Sequence, residues 1–202
     1  LEIGVGCGTY ARHLAGRGCR VMAVDINADF LNAVALLPQV SVSQADASAP
    51  LRLSGYDLVL CSEVLEHIEP SKSATMMQNI RTALKLGGIL VLTTPQPHST
   101  VEIAARPLRF HVMLALARRI YGAVDELGHI NLLAPAALRR QLEDLGFEIL
   151  ENTRRGLYIP VLAEFCGQPG QTAQAALERI LRNIPLLSRL LWTQCYILRK
   201  SG

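Results

Sequence analysis

The sequence begins with the stretch that decides its fold, Leu1-Glu2-Ile3-Gly4-Val5-Gly6-Cys7-Gly8-Thr9. The pattern is typical of a buried strand that turns through glycines into a helix. Glycines at alternate positions leave no Cβ atoms at the turn, so a ligand can come close to the main chain. The free N–H groups of the following helix would point at that ligand. In open α/β sheets, nucleotides bind at this place, just beyond the carboxyl ends of the strands. A tight turn that binds nothing is the alternative.

Strand-like and helix-like segments alternate along the rest of the chain. The predicted strands are 20–25, 40–44, 56–62, 89–94, 147–153 and 192–199. The predicted helices are 10–17 with Thr9 as its N-cap, one that Asn27 caps and Pro38 stops, one from Pro70 to the pair Gly87-Gly88, and one from Pro135 to Gly146. This alternation predicts right-handed βαβ units and a doubly wound, mostly parallel α/β sheet with helices on both faces.

Length and composition restrict the class of protein. The 202 residues predict a single domain over 1–202, with insertions at about 98–128 and 160–191. A net charge of +3 gives no case for nucleic acid as a partner. The five cysteines form no C-x-x-C pair, so neither a zinc site nor a disulfide framework is indicated, and a reducing cytoplasm is the expected location. No apolar run approaches the length of a membrane span. Because the chain begins inside a motif without methionine, we expect it to be N-terminally truncated.

The spacing of the glycines narrows the kind of nucleotide. A dinucleotide loop reads G-x-G-x-x-G/A, and counting from Gly4 its last position falls on Thr9. No Gly-Lys-Ser/Thr follows, so a Walker loop is excluded. The observed form, E-x-G-x-G-x-G with its last glycine at Gly8, resembles motif I of the class I S-adenosylmethionine-dependent methyltransferases.

Further strings extend this resemblance over roughly residues 1–147. Residues 57–68 (DLVLCSEVLEHI) resemble motif IV and its continuation, and residues 86–95 (LGGILVLTTP) resemble the motif of the fifth strand. The string EVLEH together with the later G-H-I-N-L at 128–132 is similar to the small-molecule branch that includes the ubiquinone-biosynthesis O-methyltransferases. The resemblance implies a Rossmann-like, seven-stranded sheet whose last strand is antiparallel. It also implies S-adenosyl-L-methionine as the cofactor.

Within such a fold, several residues are candidates for cofactor binding. Besides the glycines Gly4, Gly6 and Gly8, Glu2 can offset the positive charge of the cofactor's methionine end. Asp25 ends the second strand, where a carboxylate can accept both ribose hydroxyls, and Ile26 can pack on the adenine. Asp25 could instead only begin the next helix.

The later strand ends supply the remaining candidates. The family's adenine-binding acid matches Asp46, which Ala47 follows, although Asp46 could simply form an Asx turn. Ser62 and Glu63 lie where the fourth strand ends, as part of the cofactor wall or the substrate floor.

Histidines and acids are candidates for the chemistry. His129 is the first candidate for a general base, His67 the second and His98 the third. Glu63, Glu66 and His67 could together bind a divalent ion, as this string does in some relatives. We expect Glu66 and His67 to stabilise the start of the following helix and its loop instead, and we assign no metal.

The two insertions indicate the acceptor. In the first, a helix that begins at Pro107 is apolar nearly all round, and the apolar run 112–117 is flanked by arginines 106, 109, 118 and 119. This pattern favours a lid helix that packs on the core. A lid that closes on an apolar acceptor and contact to an anionic membrane surface are the alternatives. The second insertion is expected to cover the same pocket or to form a dimer contact.

We therefore predict methyl transfer to a small, apolar or aromatic acceptor, with oxygen favoured. A nicotinamide-dependent oxidoreductase and a non-catalytic cofactor-binding fragment are the alternatives.

Overall fold

A computed structural model of the chain describes residues 1–105, 128–159, 162 and 166–202. Its strands are β1 (Glu2–Ile3), β2 (Val21–Asp25), β3 (Val40–Gln44), β4 (Tyr56–Ser62), β5 (Leu84–Pro95), β6 (Phe147–Arg155) and β7 (Thr193–Lys200). Its helices are α1 (Thr9–Ala15), α2 (Ala28–Asn32), α3 (Pro70–Ala83), α4 (Thr100–Ala105), α5 (Pro135–Asp144) and α6 (Gly167–Arg182), with 3₁₀ turns at Leu65–His67 and Leu187–Leu190.

The strands form one seven-stranded sheet in the order β3-β2-β1-β4-β5-β7-β6. The pairs among β1 to β5 are parallel, whereas β7 is antiparallel to both β5 and β6. The predicted doubly wound sheet with an antiparallel last strand is therefore confirmed. The carboxyl ends of the five parallel strands share one edge, and the strand order reverses at β1, next to the glycine loop.

Apolar side chains cover both faces of the sheet. On one face, Met76 and Ile80 of α3 and Leu138 of α5 pack in the larger core cluster with Ile3 and Val24. On the other face, a smaller cluster joins β2 to the first two helices and contains Val21, Ala23, Ala11, Leu31 and Val34. Successive side chains of β2 point alternately into the two clusters, as expected for a strand that is buried on both faces.

Two helix ends differ from the prediction. The N-cap of α1 is Gly8, with φ 76°, and Thr9 is already helical. Helix α3 ends at Ala83, and Gly87 (φ +75°) and Gly88 lie within β5. The register between β4 and β5 shifts between Tyr56 and Leu58, so the two glycines accommodate an irregularity in a strand rather than the end of a helix.

Part of each predicted insertion is described. Helix α4 lies in the first, and the lid helix predicted from Pro107, with its flanking arginines and the possible membrane contact, lies outside the described residues. Helix α6 and the second 3₁₀ turn lie in the other, where Leu181 and Leu191 are buried with Leu157. Among the described residues, none of the helices combines the length and the apolar character that crossing a membrane requires.

Candidate functional site

The glycine loop follows β1 and is held in a conformation that favours glycine. Gly4, Gly6 and Gly8 have φ angles of 73°, 49° and 76°. A Cβ at Gly4 would collide with Val64, and one at Gly8 would collide with Val34. A Cβ at Gly6 would meet nothing within 4 Å. Gly4 and Gly8 are thus required by packing, and Gly6 is the position at which a ligand can approach the backbone.

Asp25 connects this loop to the second strand. One of its carboxylate oxygens accepts the N–H of Gly6 at 3.2 Å, and the other accepts the N–H of Asn27 at 2.9 Å. Asn27 in turn caps α2 by accepting the N–H of Asp29. Asp25 therefore begins the helix and also supports the loop. Each oxygen keeps a lone pair for a further donor, such as a ribose hydroxyl.

Glu2 lies beneath the loop and is 3% exposed. Burial raises the pKa of its carboxyl to about 7. Its Oε2 atom is buried and has no hydrogen-bond partner among the described residues. A cationic group bound above the loop would favour ionisation of this acid, so the buried oxygen fits the positive methionine end of the predicted cofactor.

Two residues at the ends of β2 and β3 could contact an adenine ring. The side chain of Ile26 is 68% exposed beside Asp25, as a platform for a flat ring requires. Asp46 accepts the N–H and the hydroxyl of Ser48 at 2.8 and 2.6 Å, and the hydroxyl bond lowers the pKa of Asp46. Asp46 therefore forms the Asx turn that was the alternative to adenine binding, and the next residue, Ala47, is buried.

Asn79 on α3 fixes the loop that follows β3, and the sequence analysis missed it. Its side-chain amide donates to the carbonyl oxygens of Ala47 and Ala49 at 2.9 and 2.7 Å, and its oxygen accepts the N–H of Leu51 at 3.3 Å. In the sequence, the one feature that could have pointed to Asn79 is its position as a polar residue next to the apolar Ile80, which is buried in the structure.

A chain of polar side chains joins the ends of β4 and β5. The hydroxyl oxygens of Ser62 and Thr93 are 2.8 Å apart, and Thr93 donates to Glu63 at 2.8 Å. Glu63 has a φ of +54°, which is uncommon for a residue with a side chain. Although the residue is exposed, partial desolvation of its carboxyl raises the pKa of Glu63. Thr93, which the sequence analysis did not single out, therefore orients both candidates at this edge.

Glu66 lies fully buried behind Glu63. Its Oε2 accepts the hydroxyl of Thr94 at 3.0 Å. Its Oε1 has no hydrogen-bond partner among the described residues and lies 3.9 Å from Nε2 of His67. Burial, with the nearby charge of Glu63 as a further contribution, raises the pKa of Glu66 to about 7. The carboxyl therefore holds its proton up to near-neutral pH.

The segment at 128–131 is pinned to the 3₁₀ turn that contains Glu66. The carbonyl oxygen of Glu66 accepts the N–H groups of Ile130 and Asn131 at 2.9 and 3.1 Å. The side chain of Asn131 donates to the carbonyl of Leu65 at 3.3 Å. These bonds bring His129 to the carboxyl edge of the sheet, although it lies sixty-two residues after His67 in the chain.

His67 and His129 meet at this edge. Their ring centroids are 5.3 Å apart, with the planes at 62°. Nδ1 of His129 lies 2.7 Å from Oε1 of Glu102 on α4, and both side chains are more than nine-tenths buried. Nδ1 of His67 lies 3.2 Å from the carbonyl oxygen of Gly128. Each Nδ1 thus faces an oxygen acceptor and carries the proton, which leaves the lone pair on Nε2.

Three side chains at this edge can be compared with the metal ligands Glu63, Glu66 and His67 that the sequence suggests. Glu66, His67 and His129 offer ligand atoms that lie within 4.8 Å of one another. Among the described residues, His129 is thus the third possible ligand instead of Glu63, whose carboxylate accepts a hydrogen bond from Thr93. One carboxylate and two imidazoles suit a divalent transition metal, so the donor set is compatible with an ion. His98 is exposed and is not a member of this group.

The comparisons with known proteins identify the family. The profile described as a methyltransferase domain matches residues 1–152. The chain belongs to this family, the class I S-adenosylmethionine-dependent methyltransferases, as the sequence motifs predict. S-adenosyl-L-methionine is the cofactor of the class.

Curated relatives fall in the small-molecule branch. The ubiquinone biosynthesis O-methyltransferase of Rickettsia canadensis is 28% identical over 158 residues, which cover 75% of this chain and 63% of that protein. The malonyl-[acyl-carrier protein] O-methyltransferase of Enterobacter lignolyticus is 30% identical over 157 residues, covering 76% and 56%. The chain thus spans less than two thirds of the length of either relative.

Solved structures share the fold. A SAM-dependent methyltransferase from Archaeoglobus fulgidus superposes with a TM-score of 0.63 at 19% identity, over 98% of this chain and 84% of that one. The N-methyltransferase NodS from Bradyrhizobium japonicum, solved with S-adenosyl-L-homocysteine, has a TM-score of 0.61 at 16% identity, over 100% and 76%. The Rossmann-like architecture is therefore confirmed.

Proposed function

We propose that this chain binds S-adenosyl-L-methionine across its glycine loop and transfers the methyl group to a small acceptor, with oxygen as the favoured atom. The observation that carries the proposal is the shared edge of the sheet. The open backbone at Gly6, the carboxylate of Asp25 and the unpaired oxygen of Glu2 lie on one side of the switch point. The acid–histidine group, which is Glu66, His67 and His129, lies on the other.

In the proposed cofactor site, each residue meets a different part of the ligand. Asp25 accepts the ribose hydroxyls, Ile26 packs on the adenine, and Asp46 and Ala47 lie at its edge. Glu2, with Gly4, Gly6 and Gly8, faces the methionine end. Ser62 and Glu63 form the wall towards the acceptor. The sulfonium of the bound cofactor activates the methyl group, so the chain mainly has to place the acceptor in line with it.

His129 is proposed as the general base that removes a proton from the acceptor. Its Nε2 carries the lone pair, because Glu102 accepts a hydrogen bond from Nδ1. The buried carboxylate also stabilises the imidazolium that forms when the base takes the proton. His67 lies beside it as the second candidate, and the exposed His98 remains the third.

The acceptor is proposed to be small, and apolar or aromatic. The two curated relatives support oxygen, since both are O-methyltransferases, one of ubiquinone biosynthesis and one of malonyl-[acyl-carrier protein]. Transfer of labelled methyl from S-adenosylmethionine to a panel of phenols, carboxylic acids and amines tests this assignment. We expect label in the phenols or the acids. Label confined to the amines would contradict O-methylation.

A further inference from the structure

A second cleft, which none of the proposed cofactor-binding or catalytic residues lines, lies at the carboxyl edge of the sheet. It has a volume of about 510 Å³ and lies between the second half of β6 and the segment 182–188, which begins at the last residue of α6. Arg154 and Arg155 of β6 and Arg182 of α6 line it. We refer to it as the arginine cleft. Of the described residues that line the arginine cleft, Glu151 is the single acidic one.

The register of the sheet places the arginine cleft on the active-site side. Because β5 and β6 both pair antiparallel with β7, they run in the same direction. Thr94 pairs with Gln194, which pairs with Arg154. Arg154 therefore lies at the same edge as Thr94, the partner of Glu66. Two strand spacings separate them, which is about 10 Å.

The guanidinium of Arg154 is only partly satisfied. Its Nη1 donates to the hydroxyl of Ser188 at 2.6 Å, and that hydroxyl donates to the carbonyl of Pro185 at 2.9 Å. Its buried Nε has no partner, and it makes no ion pair with the acids that the structure describes. Burial lowers the pKa of Arg154, and the charge of Arg189 lowers it further. A half-buried guanidinium with an unpaired N–H and no counter-ion is unfavourable, so an anion at this place would stabilise the structure.

We propose that the arginine cleft binds an oxyanionic group, a phosphate or a carboxylate, carried by the methyl acceptor. The planar fork of arginine matches both groups with two parallel hydrogen bonds. The acceptor is then elongated, because it has to span the two strand spacings, about 10 Å, between Arg154 and Thr94. The part of this proposal that concerns the acceptor rests on the proposed function, and the binding of an oxyanion does not.

The first experiment measures binding of pyrophosphate and of citrate at millimolar concentration by calorimetry. We expect both to bind the chain and the double variant Arg154→Gln/Arg155→Gln to bind them roughly tenfold more weakly, as the loss of a charge-assisted bidentate contact requires. Arg20→Gln, an exposed arginine before β2 at the opposite edge, is the matched control and should bind as the parent does. No binding by the parent chain, or equal binding by the double variant, would overturn the proposal.

A second variant separates a folding defect from the loss of the site. Arg155→Gln/Arg182→Gln keeps the half-buried Arg154 with its bond to Ser188, and it should still weaken anion binding severalfold while thermal unfolding is unchanged. Affinity for S-adenosylhomocysteine is measured on every variant and should remain that of the parent. A parent chain that fails to bind S-adenosylhomocysteine would contradict the proposed function, whereas the result for pyrophosphate would decide the arginine cleft independently.

The last experiment distinguishes an acceptor's anion from a free ion. Methyl transfer is compared for pairs of aromatic hydroxyl compounds that differ only in a carboxylate or phosphate about 10 Å from the hydroxyl. We expect a lower KM for the anionic member of each pair, and we expect this advantage to disappear in Arg154→Gln/Arg155→Gln. If pyrophosphate binds but the anionic acceptors have no advantage, the cleft takes a free anion and its assignment to the acceptor is wrong.

Discussion

Nδ1 of His129 lies 2.7 Å from Oε1 of Glu102, and both side chains are buried. The two residues are 27 positions apart, on opposite sides of the segment predicted as a lid. A buried carboxylate that faces Nδ1 fixes one tautomer of the ring and leaves the lone pair on Nε2. For this reason His129 is the first of the three histidines proposed as general base.

The first prediction concerns this pair. His129→Ala should lower kcat by roughly 100-fold or more, because general-base catalysis contributes factors of this size. Affinity for S-adenosylhomocysteine should be nearly unchanged, since His129 is not a proposed cofactor ligand. Glu102→Gln should lower kcat less, because the amide oxygen can still accept the hydrogen bond from Nδ1 of His129. His13→Ala, at an exposed position of α1 that has no proposed role, is the control. An unchanged kcat in His129→Ala would remove the assignment.

The second prediction concerns the carboxylate of Asp25. Asp25→Ala removes the acceptor of the Gly6 N–H and the proposed ribose ligand, so it should weaken S-adenosylhomocysteine binding by at least about tenfold. Asp29→Ala changes an exposed acid of similar sequence context in the first turn of α2. Calorimetry should find its affinity close to that of the parent. Equal affinities for the two variants would indicate that Asp25 only begins the helix.

The third prediction separates packing from ligand approach at two glycines. Gly6 and Gly18 both have positive φ, at 49° and 84°, and a Cβ at either position meets nothing within 4 Å. Gly6→Ala and Gly18→Ala should each lower the free energy of unfolding by about 1–2 kcal/mol through backbone strain. Only Gly6→Ala should also weaken cofactor binding. Denaturant unfolding and calorimetry on the same samples test this, and a similar loss of affinity in Gly18→Ala would contradict it.

The fourth prediction follows from the raised pKa of Glu2. Its carboxyl titrates near pH 7 in the folded chain and lower when unfolded, so the folded state binds more protons in between. Stability should therefore fall as the pH rises from about 4.5 to about 7, by on the order of 1–3 kcal/mol, and then level off. Glu2→Gln should reduce this fall, and the exposed Glu69→Gln should not. Urea unfolding at several pH values measures the difference. The same slope in parent and Glu2→Gln chains would show that burial does not perturb this acid.

The fifth prediction decides whether the acid–histidine group holds a metal. We expect a chelator to leave methyl transfer unchanged, because the group is proposed to act by proton transfer. Loss of activity that returns on adding Mn²⁺ or Mg²⁺ would instead assign Glu66, His67 and His129 as ligands.

Much of the fold could be predicted because its signals are local. The strands β2 and β4 contain apolar runs, and β3 alternates valine with serine, so all three are visible in the sequence. The cap at Asn27 depends only on its neighbours in the chain. The end of α3 could not be predicted in the same way. Gly87-Gly88 has the form of a helix stop, and only the pairing of Tyr56 with Leu84 across the sheet places the pair inside β5.

Site residues that belong to a sequence motif could be predicted, whereas residues that reach the site through long-range contacts could not. The glycine loop and Asp25 are visible in the sequence, whereas Glu102, Asn79 and Thr93 act through partners 27 or more residues away. A lone acid, amide or hydroxyl has no periodic or motif signal. The arginine cleft likewise depends on the direction of β6, which only its pairing with β7 fixes.

The most direct test of the central claim is calorimetry of this chain with S-adenosylhomocysteine and, separately, with NAD. The account predicts one site for S-adenosylhomocysteine, weakened in Asp25→Ala, and no heat of binding for NAD. Binding of NAD in preference, or binding of neither ligand, would contradict it.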